Sequence, residues 1–462
     1  RLLVAEAKRQ HGALGDYTGL LDEVTALVEY PSVYAGTFDP AFLEVPHECL
    51  TLTMRQNQKY FPLFDERGKL LPRFLIVSNM RVADPRHIIG GNERVVRPRL
   101  EDARFFFDQD RRARLEERVP RLAKVIYHNK LGTQLQRVER IQLLAGFIAR
   151  ALGADAALAE RAAWLAKADL VTGMVGEFPE LQGTMGRYYA LHDGEPSAVA
   201  DAIEAHYRPR FAGDRLPEHP VSCALALADK LDTLVGMFAV GGAPTGDKDP
   251  FGLRRAAVGI LRILLEAKLA LSLPQLLAQA EAGFRSTGVA ASAAEQVRIF
   301  LTERLRNHLR EAGHPADVVE AVLSPPPDRI DLVPARLEAI DAFRALPESA
   351  SLAAANKRIR NILRKSDAST GDFREALLRQ PEEQKLFAAL AALEPQVASL
   401  MDRGQYRESL LAMAGLQVPV DSFFDKVLVN AEDAALRANR HALLRRLDRL
   451  MNGAADLSKL AQ

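Results

Sequence analysis

The chain has 462 residues, room for about three domains at roughly 150 residues each. A net charge of +1 excludes a chain that is basic all over, so any nucleic-acid surface must be local. Two cysteines, Cys49 and Cys223, exclude a disulfide framework and suit a reducing cytosol, and no apolar run approaches the ~20 residues of a membrane span.

Aromatic residues are only 6% of the chain while Ala, Leu and Arg abound, which favours helix over sheet. The expected class is predominantly α and multidomain, with a small mixed α/β region at the N-terminus. The chain opens at Arg1, without Met and inside an expected helix, and reads as a piece of a longer protein. Residues 1–120 read as the mixed region. Pro46 suits the first turn of a helix running through Met54. Two strand-like runs follow, Tyr60 to Phe64 and Phe74 to Ser78, around the turn Asp65-Glu66-Arg67-Gly68-Lys69. A charged helix is expected from about Arg94 to Arg118. Residues 121–285 are helical by pattern, with irregular loops near Gly183 and Gly242. Residues 286–347 read as a helical linker broken by Pro325-Pro326-Pro327, and 348–462 are helical again.

Two helices near the C-terminus are basic. Ser351 to Lys365 contains Lys357, Arg358, Arg360, Arg364 and Lys365 and no acid. Leu352, Ala355, Ile359, Ile362 and Leu363 recur at helical spacing and would face a core, with Lys357, Asn361 and Arg364 along another side. The second helix is expected to start near Asn430 as N-cap, with Asp433 three residues on. Leu436, Leu443, Leu447 and Leu450 share one of its faces; Arg437, His441 and Arg445 share the opposite one. Arg440 falls among the leucines, the place of a packed, paired arginine. Such helices suit single-stranded RNA, where Arg and Asn stack and offer forked donors while Lys neutralises phosphate. The plainer alternative is a solvated basic face.

The most idiosyncratic stretch is Asp229 to Arg255. A helix with the carboxylates Asp229 and Asp232 enters a loop holding Gly241, Gly242, Pro244 and Gly246. Lys248 sits there between Asp247 and Asp249, and a new helix is expected at Pro250. Arg254 and Arg255 then lie near backbone N–H groups that favour anions; they either meet a polyanion or pair with Asp247 and Asp249. Earlier, Glu177-Phe178-Pro179-Glu180-Leu181-Gln182-Gly183 precedes Arg187-Tyr188-Tyr189, and His206-Tyr207-Arg208 adds another polar group. Arg187, Tyr188 and Arg208 are candidate RNA-backbone contacts, or else loop-packing and intersubunit residues. Two short matches mislead. His87-Ile88-Ile89-Gly90 lacks a partner motif and a nucleotide-binding βαβ pattern, and Gly90-Gly91-Asn92-Glu93-Arg94 lacks an antiparallel catalytic sheet. No Walker loop, nucleophile triad or zinc motif is present, so no catalytic residue is assigned.

The Asp229–Arg255 stretch, the Glu177–Gly183 run, Met54-Arg55-Gln56-Asn57-Gln58-Lys59-Tyr60-Phe61-Pro62 and Gly91-Asn92-Glu93-Arg94-Val95 resemble the beta-subunit family of bacterial two-subunit glycyl-tRNA synthetases. Ala354 to Leu363 and Asp433-Ala434-Ala435-Leu436-Arg437 resemble the two ends of the DALR anticodon-binding bundle. The middle region resembles an HD-type phosphohydrolase domain with a damaged site. Ala168-Asp169 stands where His-Asp is needed, the helix from Arg137 to Ala149 has no His, and only Asp169 and Asp229 remain of the ligand set.

The resemblance implies a cytoplasmic tRNA-binding subunit of a glycine-tRNA ligase. Its domains would be a body region at 1–120, an HD-like domain at 121–285, a linker at 286–347 and the anticodon-binding domain at 348–462. Lys357, Arg358, Arg360, Asn361, Arg364, Arg437 and His441 are the implied anticodon contacts. Arg187, Tyr188, Arg208, Lys248, Arg254 and Arg255 are candidates for the acceptor arm. The implied partners are tRNA-Gly and an alpha subunit in an alpha2beta2 assembly, with no membrane. ATP and Mg2+ would act through the alpha subunit, and this chain would bind no cofactor or metal and would not be catalytic alone. The alternatives are a metal-dependent HD-type phosphohydrolase with an RNA-binding tail, and a free-standing RNA-binding protein.

Overall fold

The computed structural model describes residues 1–285, 293–365 and 373–461. By contact the chain divides into two compact units, Arg1–Ala145 with Asp155–Tyr207, and Gly146–Ala154 with Arg208–Gln462. The division falls inside the 121–285 stretch. The described residues are predominantly helical, with strands confined to the first 133 residues, as the composition implies.

The chain opens with α1 (Leu2–Arg9), β1 (Ala13–Leu14), α2 (Thr18–Leu27), β2 (Ser32–Thr37) and α3 (His47–Gln58). β3 (Phe61–Phe64) and β4 (Leu70–Ser78) complete an antiparallel sheet ordered β1-β3-β4-β2. Leu3, Leu20, Val24, Phe61, Leu63 and Leu75 form the core under it, so the alternate residues Phe61 and Leu63 anchor β3. β3 and β4 answer to the two expected runs; β1 and β2 were not foreseen. The strand signal of β2 is diluted by Gly36, where an added Cβ would lie 2.7 Å from the ring of Phe74 on β4.

The expected charged helix starts eight residues early, as α4 (Arg86–Asp110), and is followed by the short α5 (Leu115–Arg118). Gly90 and Gly91 disfavour helix. Tertiary contacts override them: Asn92 accepts from the Tyr60 hydroxyl at 2.6 Å, and Glu93 accepts from the Thr37 backbone N–H and hydroxyl, both at 2.8 Å. Both misleading short matches are thus simply helix. The hairpin β5 (Ile126–His128) and β6 (Gly132–Thr133) then precedes α6 (Gln134–Ala151), α7 (Ala156–Leu165), α8 (Gly173–Glu177), α9 (Thr184–His192) and α10 (Ser197–Ala205).

In the second unit, α11 (Pro220–Ala239) is apolar on nearly every side and is accordingly central. It packs against α12 (Leu253–Glu266), α13 (Leu273–Ala282) and α14 (Ala293–Glu311). The prolines 325–327 separate α15 (Ala316–Leu323) from α16 (Val333–Arg344), two helices packed on each other. The C-terminal bundle is α17 (Ser349–Lys365), α18 (Pro381–Asp402), α19 (Tyr406–Ala412), α20 (Gln417–Lys426) and α21 (Ala434–Met451).

Candidate functional site

α17 buries Leu352, Ala353, Ala355, Asn356 and Ile359, while Ile362 and Leu363 are half-buried. Lys357, Arg358, Asn361 and Arg364 are exposed. Their contacts are light. Lys357 donates to the Ala461 carbonyl at 3.3 Å, and Arg364 to Asn361 Oδ1 at 3.1 Å. Arg358 lies 4.4 Å over the ring of Phe424, a partner from α20 that no sequence spacing marks. Arg360 departs from expectation. It is turned onto Asp448 of α21, at 3.3 Å, and onto the buried Asp456, so it ties the bundle together.

α21 begins at Ala434 rather than near Asn430. Asp433 is its cap, accepting from the N–H groups of Ala435 (2.7 Å) and Leu436 (3.1 Å). Asn430 instead bonds His441 Nε2 through Oδ1 at 3.0 Å. The segment before α21 folds back along its first turns, and this corrects the solvated face expected there. Arg437 is half-buried and donates to the Ala431 carbonyl at 2.8 Å, and His441 is only 3% exposed. Burial, then the charges of Arg445 and Arg437, lower the His441 pKa below the ordinary histidine value. Arg440 is buried, as its place among the leucines implies. It meets Glu383 of α18 at 2.5 Å and the Leu428 carbonyl at 2.7 Å. The other Glu383 oxygen accepts from the N–H groups of Arg379 and Gln380, closing the capping box that starts α18.

The loop from Gly241 to Gly252 contains a tight turn, with Thr245 and Lys248 exchanging backbone hydrogen bonds of 3.2 and 2.9 Å. The helix after it starts at Leu253, not Pro250. Asp249 already occupies its N-terminal donors, accepting from Leu253 N at 2.8 Å and Arg254 N at 2.9 Å. The anion site expected at this helix start is therefore filled from within. The Arg254 guanidinium donates to the Gly246 carbonyl instead of pairing with an acid. Lys248 and Arg255 are exposed.

In the first unit, Asp169 is fully buried in a 3₁₀ turn, Ala168–Val171, after α7. One carboxylate oxygen accepts from Gly183 N at 2.6 Å and Gly186 N at 3.1 Å, and burial pushes its pKa up to about 6. Gly183 has φ +81°, and a Cβ there would meet the Tyr207 ring at 2.7 Å; at Gly186 it would meet Ile203 at 2.7 Å. The acid thus pins the loop that enters α9. Beside it, Lys167 Nζ lies 2.7 Å from His206 Nε2 and 4.1 Å from the centre of the Tyr207 ring, a buried group the sequence did not reveal. Arg187 is paired with Asp201 at 2.7 Å, and the Tyr188 hydroxyl donates to Glu48 at 3.0 Å. In the second unit, Asp229, Lys230 and Asp232 are buried on α11, and Lys230 donates to the Arg208 carbonyl at 2.8 Å. The Arg208 side chain is half-buried. Among the described residues, no three His, Cys, Asp or Glu side chains are grouped to hold a metal ion, and no helix is long and apolar enough to cross a membrane.

Comparison with known proteins divides the chain at a different place, within the second unit. A family profile described as glycyl-tRNA synthetase beta subunit matches residues 2–324, and one described as DALR anticodon binding domain matches 352–460. The chain is 61% identical to the glycine–tRNA ligase beta subunit of Aromatoleum aromaticum over 462 residues, all of this chain and 66% of that protein. It is 58% identical to the beta subunit of a Janthinobacterium species over 96% of this chain and 63% of that one. With the Neisseria meningitidis serogroup C subunit, identity is 53% over 100% of this chain and 66% of the relative. The chain spans slightly under two thirds of the length of these curated relatives.

Proposed function

Because the chain belongs to the glycyl-tRNA synthetase beta-subunit family, we propose that it is the tRNA-gripping part of a glycine-tRNA ligase. On this reading an alpha subunit carries the reaction, using ATP and Mg2+, in a cytoplasmic alpha2beta2 assembly. This chain supplies binding energy far from the reacting atoms, which orients the tRNA 3′ end at the partner's site. The observation that carries the reading is the row Lys357, Arg358, Asn361 and Arg364. It is exposed, lightly partnered and free of acids, and it lies within the stretch matched by the anticodon-binding profile. Splayed anticodon bases would stack on Arg358 and meet the forked donors of Asn361 and Arg364. Lys248 and Arg255, exposed on the Gly241–Gly252 loop and the helix after it, are the acceptor-arm candidates best placed to reach phosphate. Arg254, Arg187 and Tyr188 are engaged with protein groups.

A metal-dependent phosphohydrolase has no support in the donor set. Ala168 stands where an imidazole is required, and one oxygen of Asp169 is committed to the Gly183 and Gly186 amides. The test of the main reading is binding of tRNA-Gly and of a transcript with altered anticodon bases, each at two salt concentrations. Tighter binding to tRNA-Gly that is lost with the altered bases is expected. Equal, strongly salt-dependent binding of both would sink it.

A further inference from the structure

α21 carries two buried side-chain nitrogens that the rest of the bundle leaves without a partner. Nδ1 of His441 is sealed from solvent without a hydrogen-bond partner, although its Nε2 is held by Asn430. One terminal nitrogen of Arg445, a single turn further along the same face, is likewise sealed and unpartnered. Buried polar groups are as a rule paired, and leaving one unpaired costs on the order of 1–3 kcal/mol, more if it is charged.

Three carboxylates on or beside α21 are already paired with arginines. Arg360 of α17 meets Asp448, Glu383 of α18 meets Arg440, and Glu394 of α18 meets Arg446 at 2.5 Å. The 3₁₀ turn Glu375–Leu377 also packs on α21, and its Glu375 is exposed. Among the described residues no carboxylate acts on His441; the charges it feels are Arg437 and Arg445. The niche is therefore short of an anion.

Its position matches the outer row of α17. Asn356 faces Met451 and Arg360 faces Asp448, so the two helices run antiparallel. One further turn brings Arg364 to the level of Arg445.

We propose that His441 and Arg445 form a subsite for one backbone phosphate of a bound RNA, with His441 taking up a proton as the phosphate arrives. The proposal rests on the RNA-binding reading above and adds the chemistry of one contact. In the RNA-free chain a proton on Nδ1 would sit beside two arginines with no acceptor. A phosphate oxygen that displaces the side chains covering these two nitrogens supplies that acceptor and offsets the repulsion. Binding and protonation then favour each other, so affinity falls as pH rises through the titration of the bound histidine.

The test is calorimetric titration of the full chain with tRNA-Gly in two buffers of different ionisation enthalpy, which counts protons taken up without any variant. Binding is then compared at about pH 6 and about pH 8, where histidine changes charge. Proton uptake and several-fold tighter binding at the lower pH are expected. H441Q, which keeps an amide donor toward Asn430, should bind with a flat pH profile. R445Q should lower the slope of log affinity against log salt by about one. No proton uptake, an unchanged pH profile in H441Q, or an unchanged salt slope in R445Q would each overturn the proposal. The same uptake produced by inorganic phosphate alone would show a free-phosphate site instead. The altered-anticodon transcript is run in the same series. Intact discrimination with no proton uptake sinks only this subsite, whereas loss of discrimination in the unmodified chain sinks the broader reading.

Discussion

The buried acid of the first unit and the basic bundle of the second are built from the same kinds of residue but use charge in opposite ways. Asp169 is spent on the protein's own backbone, where it holds Gly183 and Gly186 and shapes the turn into α9. The bundle divides its cations. Arg360, Arg440 and Arg446 close on Asp448, Asp456, Glu383 and Glu394, while Lys357, Arg358, Arg364 and Arg445 meet no acid among the described residues. Charge that the fold has already matched is a statement about stability. Charge left over is a statement about what the protein binds.

The comparison is tested hardest at Arg440. Arg440→Ala leaves Glu383 buried with no countercharge and should cost about 3–5 kcal/mol. Denaturant melts would show this, and RNA binding should fall only as far as the fold does. A variant that melts normally yet loses RNA would put Arg440 among the leftover charges and break the distinction. Asp169 comes next. Burial raises its pKa from 3.8 to about 6, so the fold favours the protonated form. Its contribution is complete below the unfolded value and is lost as pH rises through about 6, up to about 3 kcal/mol across that window. Asp169→Asn keeps an oxygen for the two glycine amides and cannot titrate. Chemical denaturation at the two ends of the window should therefore show less stability lost on raising the pH in the variant than in the parent. Identical curves would mean that the carboxyl is not held this way. The smallest effect on stability belongs to Arg364→Ala, expected within about 0.5 kcal/mol of the parent. Its RNA affinity should nonetheless drop and its salt slope fall by about one; unchanged binding would demote the α17 row to a solvated face.

Much of this was legible in the chain. Helical spacing located the buried side of α17 and the inward place of Arg440, because a 3.6-residue period reports directly on burial. It misjudged the far side of α21. Periodicity assumes that the opposite face meets water, and it cannot see that residues 428–431 fold back to cover Arg437 and His441. The contacts that Asp169 makes were not legible for a related reason. The residues looked like remnants of a metal centre, whereas the local need is for a carboxylate under two glycine amides some fifteen positions away, a pairing with no fixed spacing. Gly90 and Gly91 hid the start of α4 because the contacts that hold it, Asn92 to Tyr60 and Glu93 to Thr37, reach back across dozens of residues.

The pairing of Arg440 with Glu383 also bears on how this bundle can change over generations. Losing either partner alone strands a charge in the interior, yet exchanging both for apolar residues of similar bulk can be nearly neutral. The two positions are separated by a valley that single substitutions cross at a loss. A lineage should keep the pair intact or replace it wholesale, and chimeras that join α18 of one lineage to α21 of another should fail wherever the two parents have made different choices.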